Sequence, residues 1–263
     1  MTPQQLLAHH DAGTPWPEAS GLDVPQAYRR AAEVRDLRIA RGEQPRGYKV
    51  GFTNRTIWPR YGVYAPIWGT VWNTTLSFCS DAGEVSLAGT CEPRLEPECV
   101  FGLKATPPAS PDLELDALLA CVEWIAPGFE IVQSHMPDWK FAAADTVADG
   151  GLHARLLVGR QVDVRSLPRD GAAFDAQLAA ARIVLTRDGT RVDTGVGANV
   201  LDGPLHALLH FVRELRASPG AADLQPGDVV TTGTWTDAWP VAPGEQWHAA
   251  FDAPLAPLAV RFT

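Results

Sequence analysis

The chain has 263 residues, a length typical of one large domain or two modest ones, and 46% of them are hydrophobic, enough for a sizeable core. Its 22 Lys and Arg residues against 31 Asp and Glu residues give a net charge of −9, which argues against nucleic acid or an anionic membrane as a partner. No apolar run approaches the roughly 18 residues of a membrane helix, and Met1–Gly13 has no signal-peptide core. The four cysteines form no Cys-x-x-Cys pair, so we expect reduced thiols in a cytoplasmic protein.

The N-terminal third of the chain begins with a predicted helix. Pro25 suits a first helical turn, and the residues that follow keep helical spacing until Arg41-Gly42 ends the pattern. An apolar segment, Gly47–Phe52, and an aromatic stretch come next. Near residue 81 the pattern changes to short β-like runs separated by turn residues. We therefore predict a helical N-terminal part over residues 1–80 and a strand-rich domain over residues 81–263.

The second part is predicted to mix strands with two helices. One helix is indicated over residues 115–126 and is ended by Pro127-Gly128; the other, over residues 205–215, is started by Pro204. The predicted strands are Glu96–Leu103, Phe129–Gln133, Leu156–Gly159, Arg182–Thr186, Asp228–Thr232 and Leu258–Phe262. Because strands outnumber helices and do not alternate regularly with them, we expect an α+β fold with a rolled or sandwiched mixed sheet rather than a doubly wound parallel sheet.

Three acidic residues in predicted strands indicate a metal site. Glu96 and Glu98 are two residues apart, so in a strand they share one face, about 6.6 Å apart at about 3.3 Å per residue. Glu130 lies inside the apolar run Phe129–Val132, where a carboxylate is costly unless it is paired or bound to metal. If the three carboxylates converge, a hard divalent cation relieves their repulsion, and oxygen-only ligands favour Mg²⁺ or Mn²⁺ over Zn²⁺.

Spacing alone leaves a second interpretation of the acids open. Glu96 and Glu98 then line a solvated face, and Glu130 pairs with an arginine such as Arg94.

The chain has only three lysines, and two of them have a chemical and a structural interpretation. Lys49 is either the outward residue of an edge strand or a buried acid–base group beside the metal. Lys140 is either a surface lysine leaning on Trp139 or an acid–base group or anion clamp in the same pocket.

Eight segments together carry a family pattern: Gly47–Thr53, Pro93–Glu98, Phe129–Ser134, Asp138–Lys140, Asp145–Asp149, Gly197–Leu205, Pro226–Gly233 and Val241–Gly244. In this order they resemble the 2-keto-4-pentenoate hydratase group of the fumarylacetoacetate hydrolase superfamily. The resemblance covers most of the chain, and it depends on all eight segments in register because no single one is decisive.

The resemblance implies a cytoplasmic homo-oligomer with a helical N-terminal part and a mixed β-roll catalytic domain. It also implies one divalent cation, usually Mg²⁺, held by Glu96, Glu98 and Glu130, and it places Lys49 in the pocket. The expected substrate is a small 2-oxo or 2-hydroxydienoic acid from aromatic-compound breakdown. We expect a Mg²⁺-dependent lyase of the hydratase type, which converts 2-hydroxypenta-2,4-dienoate to 4-hydroxy-2-oxopentanoate and is able to associate with a decarboxylase.

Two departures from the family pattern keep other reactions open. Hydratases of this group carry an acid, a plausible water-activating group, where this chain has Ile67; Pro66-Ile-Trp-Gly69 is closer to the Pro-Ile-Tyr-Gly segment of 4-oxalocrotonate decarboxylases. The family's Ala-Asp-Asn-Ala-Ser-Ser reads Ala148–His153 here, with glycines and a histidine in place of hydroxyls. The alternatives are therefore a 4-oxalocrotonate-type decarboxylase, an acylpyruvate hydrolase and a non-catalytic partner subunit.

The predicted catalytic residues are Lys49, Lys140 and His153. Lys49 is the first choice for proton transfer, since a nearby cation lowers the pKa of a lysine. His153 is a candidate for the missing base because imidazole titrates near neutrality, although a lone histidine is more often structural. The residues assigned to substrate binding are Asp149, Gly150, Leu152, Thr232 and Thr234, although Thr232 and Thr234 would equally serve to close the sheet.

Overall fold

The computed structural model describes residues 1–263, which form two β-sheets and seven α-helices. The helices are α1 (Pro3–Ala12), α2 (Val24–Ala40), α3 (Trp58–Tyr61), α4 (Leu115–Leu119), α5 (Ala143–Ala148), α6 (Gly171–Ala180) and α7 (Pro204–Ala217). The strands are β1 (Pro45–Gly51), β2 (Ile67–Trp72), β3 (Leu76–Phe78), β4 (Ala82–Val85), β5 (Arg94–Leu103), β6 (Val122–Val132), β7 (His153–Val158), β8 (Val162–Asp163), β9 (Arg182–Arg187), β10 (Thr190–Val196), β11 (Val229–Thr234), β12 (Trp239–Pro240), β13 (Gln246–Phe251) and β14 (Leu258–Phe262).

The larger sheet has nine strands and carries the acidic residues. Its main order is β2-β1-β11-β5-β6-β7-β3, with β12 beside β5 and β8 beside β6. The smaller sheet has the order β10-β9-β13-β14-β4. The main core joins buried side chains of both sheets to those of α6 and α7. None of the helices combines the length and the apolar character needed to cross a bilayer.

The predicted boundary near residue 80 falls between the two sheets in chain order. Strand β3 ends at Phe78 in the larger sheet, and β4 begins at Ala82 in the smaller one. The chain then returns to the larger sheet in β5, so strands from both sides of the boundary complete one sheet around the acidic residues.

The predicted helix from Pro25 is confirmed by α2, in which Asp23 caps the N-terminus and accepts the backbone N–H of Gln26. The helix predicted from Pro204 is confirmed by α7, and all six predicted strands coincide with observed ones. Helices α1, α3, α5 and α6 were not predicted.

The helix predicted over residues 115–126 is wrong beyond Leu119. Helix α4 is only five residues long, and Val122–Val132 is strand β6. Valine, tryptophan and isoleucine at positions 122, 124 and 125 favour a strand, and β6 pairs along its whole length with β5. Apolar residues spaced three and four apart fit one long helix, but they also fit a short helix followed by a buried strand. The spacing alone does not distinguish these two structures.

Glycines allow the backbone to close tightly around Lys49. Gly69 of β2 lies opposite Lys49 of β1, and a Cβ atom on Gly69 would overlap the carbonyl oxygen of Gly150. Gly150, Gly151 and Leu152 all have positive φ angles of 63–72°, which bulky residues rarely adopt, so the leucine is held there by its surroundings. This turn leads directly into β7 at His153.

Replacing Gly69 by alanine is expected to lower the free energy of unfolding by about 1–3 kcal/mol, the usual cost of forcing an atom into a packed interior. Gly51→Ala on the neighbouring strand is the matched control, because its nearest contact, Ile67 Cγ1, lies at an ordinary 3.5 Å. Urea unfolding of both variants measures the difference. Equal midpoints would show that the Gly69–Gly150 approach does not constrain the fold.

Candidate metal centre

The strand pairing of β5 and β6 brings the three acids together. Glu96 and Glu98 share one face of β5, and Glu130 of β6 lies directly opposite Glu96. One carboxylate oxygen from each residue lies within 4.8 Å of the other two. Glu98 and Glu130 are fully buried and Glu96 is half-buried. The convergence predicted from the spacing is therefore present, and the alternative of a solvated acidic face is wrong.

Lys49 supplies the ammonium group of the site. Strand β1 lies between β2 and β11, so Lys49 is not on an edge strand; its side chain is 3% exposed. Its Nζ lies 3.1 Å from Glu130 Oε2, so Glu130 pairs with Lys49 and not with Arg94. Burial opposes the charge of Lys49, but Glu130, Glu96 and Glu98 outweigh it and raise the pKa of Lys49. Three carboxylates thus hold Lys49 protonated.

His153 contacts the other carboxylate oxygen of Glu130. Its Nδ1 lies 3.0 Å from Glu130 Oε1, and its Nε2 lies 2.8 Å from Thr75 Oγ1. Burial opposes ionisation of Glu130, but the Lys49 ammonium and the His153 ring outweigh it and lower the pKa of Glu130. Burial also lowers the pKa of His153, against the raising effect of Glu130.

The negative charges of Glu98 and Glu96 are balanced less fully by neighbouring groups than that of Glu130. Glu98 Oε2 accepts the backbone N–H groups of Thr232 at 2.9 Å and Gly233 at 2.5 Å. Burial, with the charges of Glu130 and Glu96, nonetheless raises the pKa of Glu98 well above its ordinary value. Burial raises the pKa of Glu96 to about 7 although Lys49 acts in the opposite direction.

The donor set fits a hard divalent cation. Glu98 Oε1 is buried without a hydrogen-bond partner, and Glu130 Oε2 has only its ion-pair contact with Lys49. Buried carboxylate oxygens are rarely left unpartnered, and oxygen ligands are those that Mg²⁺ and Mn²⁺ prefer. A cation held by Glu96, Glu98 and Glu130 would satisfy these atoms and remove the repulsion that raises the pKa values of Glu96 and Glu98.

A cavity of about 450 Å³ opens onto Glu96 and Lys49. Aromatic rings and aliphatic side chains form much of its wall, and two arginines, Arg60 and Arg94, lie at it. Both guanidinium groups stack on aromatic rings; that of Arg94 lies 4.1 Å from the ring centre of Trp139. The cavity therefore suits a small molecule with an unsaturated body, and with a cation held by the acids it would also accept an anionic head.

Two of the predicted substrate-binding residues, Leu152 and Thr234, line this cavity. Thr232 lies behind it, since its N–H is donated to Glu98 and its hydroxyl to the Cys99 carbonyl oxygen.

Asp149 and Gly150 line a separate cavity of about 150 Å³ between α2 and β2. The carboxylate of Asp149 accepts hydrogen bonds from the backbone N–H and from the ring Nδ1 of His135. It therefore fixes the segment that contains His135. Neither Asp149 nor Gly150 faces the acids.

The structure does not bring Lys140 to the acids. Its side chain is 79% exposed and its Nζ lies 3.1 Å from Asp138 Oδ2, also at the surface. The sequence did not predict a role for Thr75. A threonine in a turn gives no indication that it contacts a histidine 78 positions away. The role of Arg94 as part of the cavity wall was also missed, although its position two residues before Glu96 on one strand face was a usable signal.

No family model matches the chain. A 4-oxalocrotonate decarboxylase from Pseudomonas sp. is 33% identical over 243 residues, covering 89% of this chain and 86% of that protein. A 2-hydroxyhexa-2,4-dienoate hydratase from Comamonas testosteroni is 30% identical over 244 residues, covering 92% and 87%.

Solved structures with the same fold support the expected architecture. A 4-oxalocrotonate decarboxylase from Pseudomonas putida G7, complexed with magnesium and adipate, has a TM-score of 0.86 at 24% identity and covers 100% of this chain and 99% of that one. A fumarylpyruvate hydrolase from Pseudomonas aeruginosa, in complex with Mn²⁺ and pyruvate, has a TM-score of 0.61 at 18% identity, covering 83% and 89%. The α+β fold of the fumarylacetoacetate hydrolase type is thus confirmed.

Replacing Glu98 by glutamine is expected to weaken Mg²⁺ and Mn²⁺ binding by more than about 100-fold. Loss of a residue that only hydrogen-bonds to a metal ligand already lowers metal affinity by about 10–100-fold, and Glu98 is proposed to bind the metal directly. The fold should persist, because burial already opposes the ionised form of Glu98 and the amide oxygen still accepts the two backbone N–H groups. Isothermal titration calorimetry measures the affinity and circular dichroism the fold. Glu84→Gln, at an exposed position on β4, is the control. Unchanged metal affinity in Glu98→Gln would show that Glu98 is not a metal ligand.

Proposed function

Because this chain belongs to the family of 2-keto-4-pentenoate hydratases and 4-oxalocrotonate decarboxylases within the fumarylacetoacetate hydrolase superfamily, we propose that it is a Mg²⁺-dependent hydratase of small 2-hydroxydienoic acids. Hydratases and decarboxylases are both lyases, so the class of enzyme follows from the family. The observation that carries the proposal is the convergence of Glu96, Glu98 and Glu130 beside the buried Lys49 at the end of a partly aromatic cavity. The proposed substrate is 2-hydroxypenta-2,4-dienoate and the product 4-hydroxy-2-oxopentanoate.

Glu96, Glu98 and Glu130 would hold the metal ion. When bound, Mg²⁺ supplies a positive charge that binds the substrate carboxylate and the adjacent 2-oxygen and stabilises negative charge developing on that oxygen. Glu130 stays ionised through its contacts with Lys49 and His153, so it is the acid least in need of deprotonation before the metal binds.

Lys49 is proposed as the proton donor. Its side-chain amine lies in the cavity wall beside Glu96, and in the metal-free protein the three acids raise its pKa and so favour the charged form. Overall, the substrate gains a proton at its terminal carbon, loses the proton of its 2-hydroxyl and gains water as OH at carbon 4 and H at carbon 3. A protonated amine positioned at the substrate carbons lowers the barrier of such a step by general acid catalysis.

The aromatic rings of the cavity would contact the uncharged tail of the substrate, and Arg60 and Arg94 lie against two of these rings, Tyr61 and Trp139. The turn that ends at Leu152 and the side chain of Ile67 close the apolar side of the same cavity. These walls orient the tail relative to Lys49 and exclude bulk water from the reacting carbons.

Lys49→Ala is expected to retain metal affinity within about tenfold and to lose about 10²–10⁴-fold in kcat, the usual contribution of one general acid or base. Steady-state kinetics and calorimetry separate the two effects. Lys104→Ala is the matched control because Lys104 is exposed on the protein surface. A near-normal rate in Lys49→Ala would leave Lys49 with a packing role only.

Two observations favour 4-oxalocrotonate-type decarboxylation as a second candidate. Ile67, which stands where hydratases have an acid, is 2% exposed and lines the cavity, so no carboxylate there activates water. Arg60 and Arg94 lie at the same cavity, and neither is paired with a carboxylate in the structure, whereas the one other acid of its wall, Asp237, is exposed. Unpaired guanidinium groups suit the second carboxylate of a diacid.

The two reactions are separated by supplying the enzyme with Mg²⁺ and either 2-hydroxypenta-2,4-dienoate or 2-oxohex-3-enedioate. The hydratase proposal predicts loss of the dienol absorbance with formation of 4-hydroxy-2-oxopentanoate. CO₂ release from the diacid without hydration of the monoacid would reverse the order of the two candidates.

Assembly and location are proposed on separate grounds. We propose a homo-oligomer, which is what the resemblance to this family implies. A cytoplasmic location is supported by the four free cysteines. Association with a decarboxylase subunit remains part of the same proposal, and light scattering of the purified chain alone and with such a partner tests it.

A further inference from the structure

The buried pair Thr75–His153 is not explained by substrate binding or metal ligation. His153 begins β7, directly after the left-handed turn at Gly150–Leu152, and its side chain is 3% exposed. Both of its ring nitrogens are engaged: Nδ1 with Glu130 Oε1 at 3.0 Å and Nε2 with Thr75 Oγ1 at 2.8 Å. Both ring nitrogens thus have partners within the protein, and neither is left free to contact a substrate.

The positions of the protons follow from the donors and acceptors present. An ionised carboxylate only accepts hydrogen bonds, so the contact with Glu130 requires a hydrogen on Nδ1. In a neutral ring Nε2 then has a lone pair and needs a donor. Thr75 Oγ1 lies closer to Nε2, at 2.8 Å, than to the Trp72 carbonyl oxygen, at 3.2 Å, so its single proton is best placed on the bond to the ring.

The backbone holds Thr75 in place for this bond. The Trp72 N–H is donated to Thr75 Oγ1 at 3.1 Å, within the turn that joins β2 to β3. The charge of Glu130 is already balanced at its other oxygen by Lys49, so the site does not require a second cation on the ring.

We propose that Thr75 and His153 are positioning residues for Glu130: the threonine hydroxyl fixes the ring tautomer that donates Nδ1–H to Glu130 Oε1, which orients Glu130 Oε2 toward Lys49 and the other acids. The ring of His153 does not line the cavity at Glu96 and Lys49, so this residue acts on Glu130 and not on the substrate. Because Glu130 lies opposite Glu96 on the neighbouring strand, it would otherwise turn away from that like charge. The inference rests on the proposed metal-binding role of Glu130.

Conservative and disruptive variants separate this role from packing. Thr75→Ser keeps the hydroxyl, whereas Thr75→Val keeps the shape and removes the donor. His153→Asn keeps an N–H near the position of Nδ1, whereas His153→Leu removes it. We expect the two disruptive variants to bind Mn²⁺ about 10–100-fold more weakly than wild type and the two conservative variants to stay within a fewfold of it, because an outer partner orients its ligand.

The first readout is ¹⁵N NMR of the histidine rings in the metal-free protein, with the His153 signals assigned by their loss in His153→Asn. The expected spectrum has a protonated Nδ1 and an unprotonated Nε2, and Thr75→Val should lose this fixed pattern. A hydrogen on Nε2 alone, or on both nitrogens, would overturn the inference, as would equal Mn²⁺ affinity in Thr75→Val and Thr75→Ser.

Neither readout uses a substrate, so failure of this inference and failure of the proposed function are distinguishable. If the expected tautomer and affinities are found but neither dienoic acid nor diacid is converted, only the proposed reaction is wrong. If a substrate is converted but the tautomer or the affinities differ from those expected, only the positioning role is wrong. Loss of Mn²⁺ binding in folded Thr75→Ser would also contradict the role of the hydroxyl.

Discussion

The repulsion between three buried carboxylates is the constraint on which the site depends. Two unit charges 4 Å apart repel by about 4 kcal/mol at an effective dielectric constant of 20, and the oxygens of Glu96, Glu98 and Glu130 lie within 4.8 Å of one another. Lys49 balances one charge, and the two backbone N–H groups on Glu98 offset part of another. The remaining excess appears as the raised pKa values of Glu96 and Glu98. A bound divalent cation would favour the ionised forms of these two groups, so relief of the repulsion among the three acids would contribute to metal affinity.

The fold keeps these charges together by attaching them to paired strands. Glu96 and Glu130 are cross-strand neighbours, and Lys49 comes from a strand that reaches β5 only through β11. Rigid strands hold ligands more accurately than loops do. The turn Gly150–Leu152, which supplies Leu152 to the cavity wall, is fixed by its close approach to Gly69 and so cannot relax without disturbing β2.

Local patterns predicted the parts of the site that lie within one strand. The two-residue period placed Glu96 and Glu98 on one face, and the apolar surroundings of Glu130 marked it as costly, so their convergence was foreseeable. The contacts of Glu130 with Lys49 and His153 were not, because they depend on strand order and on a turn far away in sequence. The segment after Leu119 was wrongly predicted as helix for the same reason, a dependence on distant contacts. Val122 begins a strand because this segment pairs with β5, and the local periodicity does not show that pairing.

The choice between hydration and decarboxylation depends on the cavity wall rather than on the metal centre. Both reactions need a bound 2-oxo acid and a proton delivered to carbon, and under the proposed function Glu96, Glu98, Glu130 and Lys49 would serve in either case. Hydration additionally needs a group that activates water near the tail, and the side chain of Ile67 offers none. Under the hydratase proposal, another polar group of the cavity would have to activate the water. A decarboxylase needs no such group, since the departing CO₂ would leave its electron pair to a carbon chain conjugated with the 2-oxo group, and a cation held by Glu96, Glu98 and Glu130 would stabilise that charge.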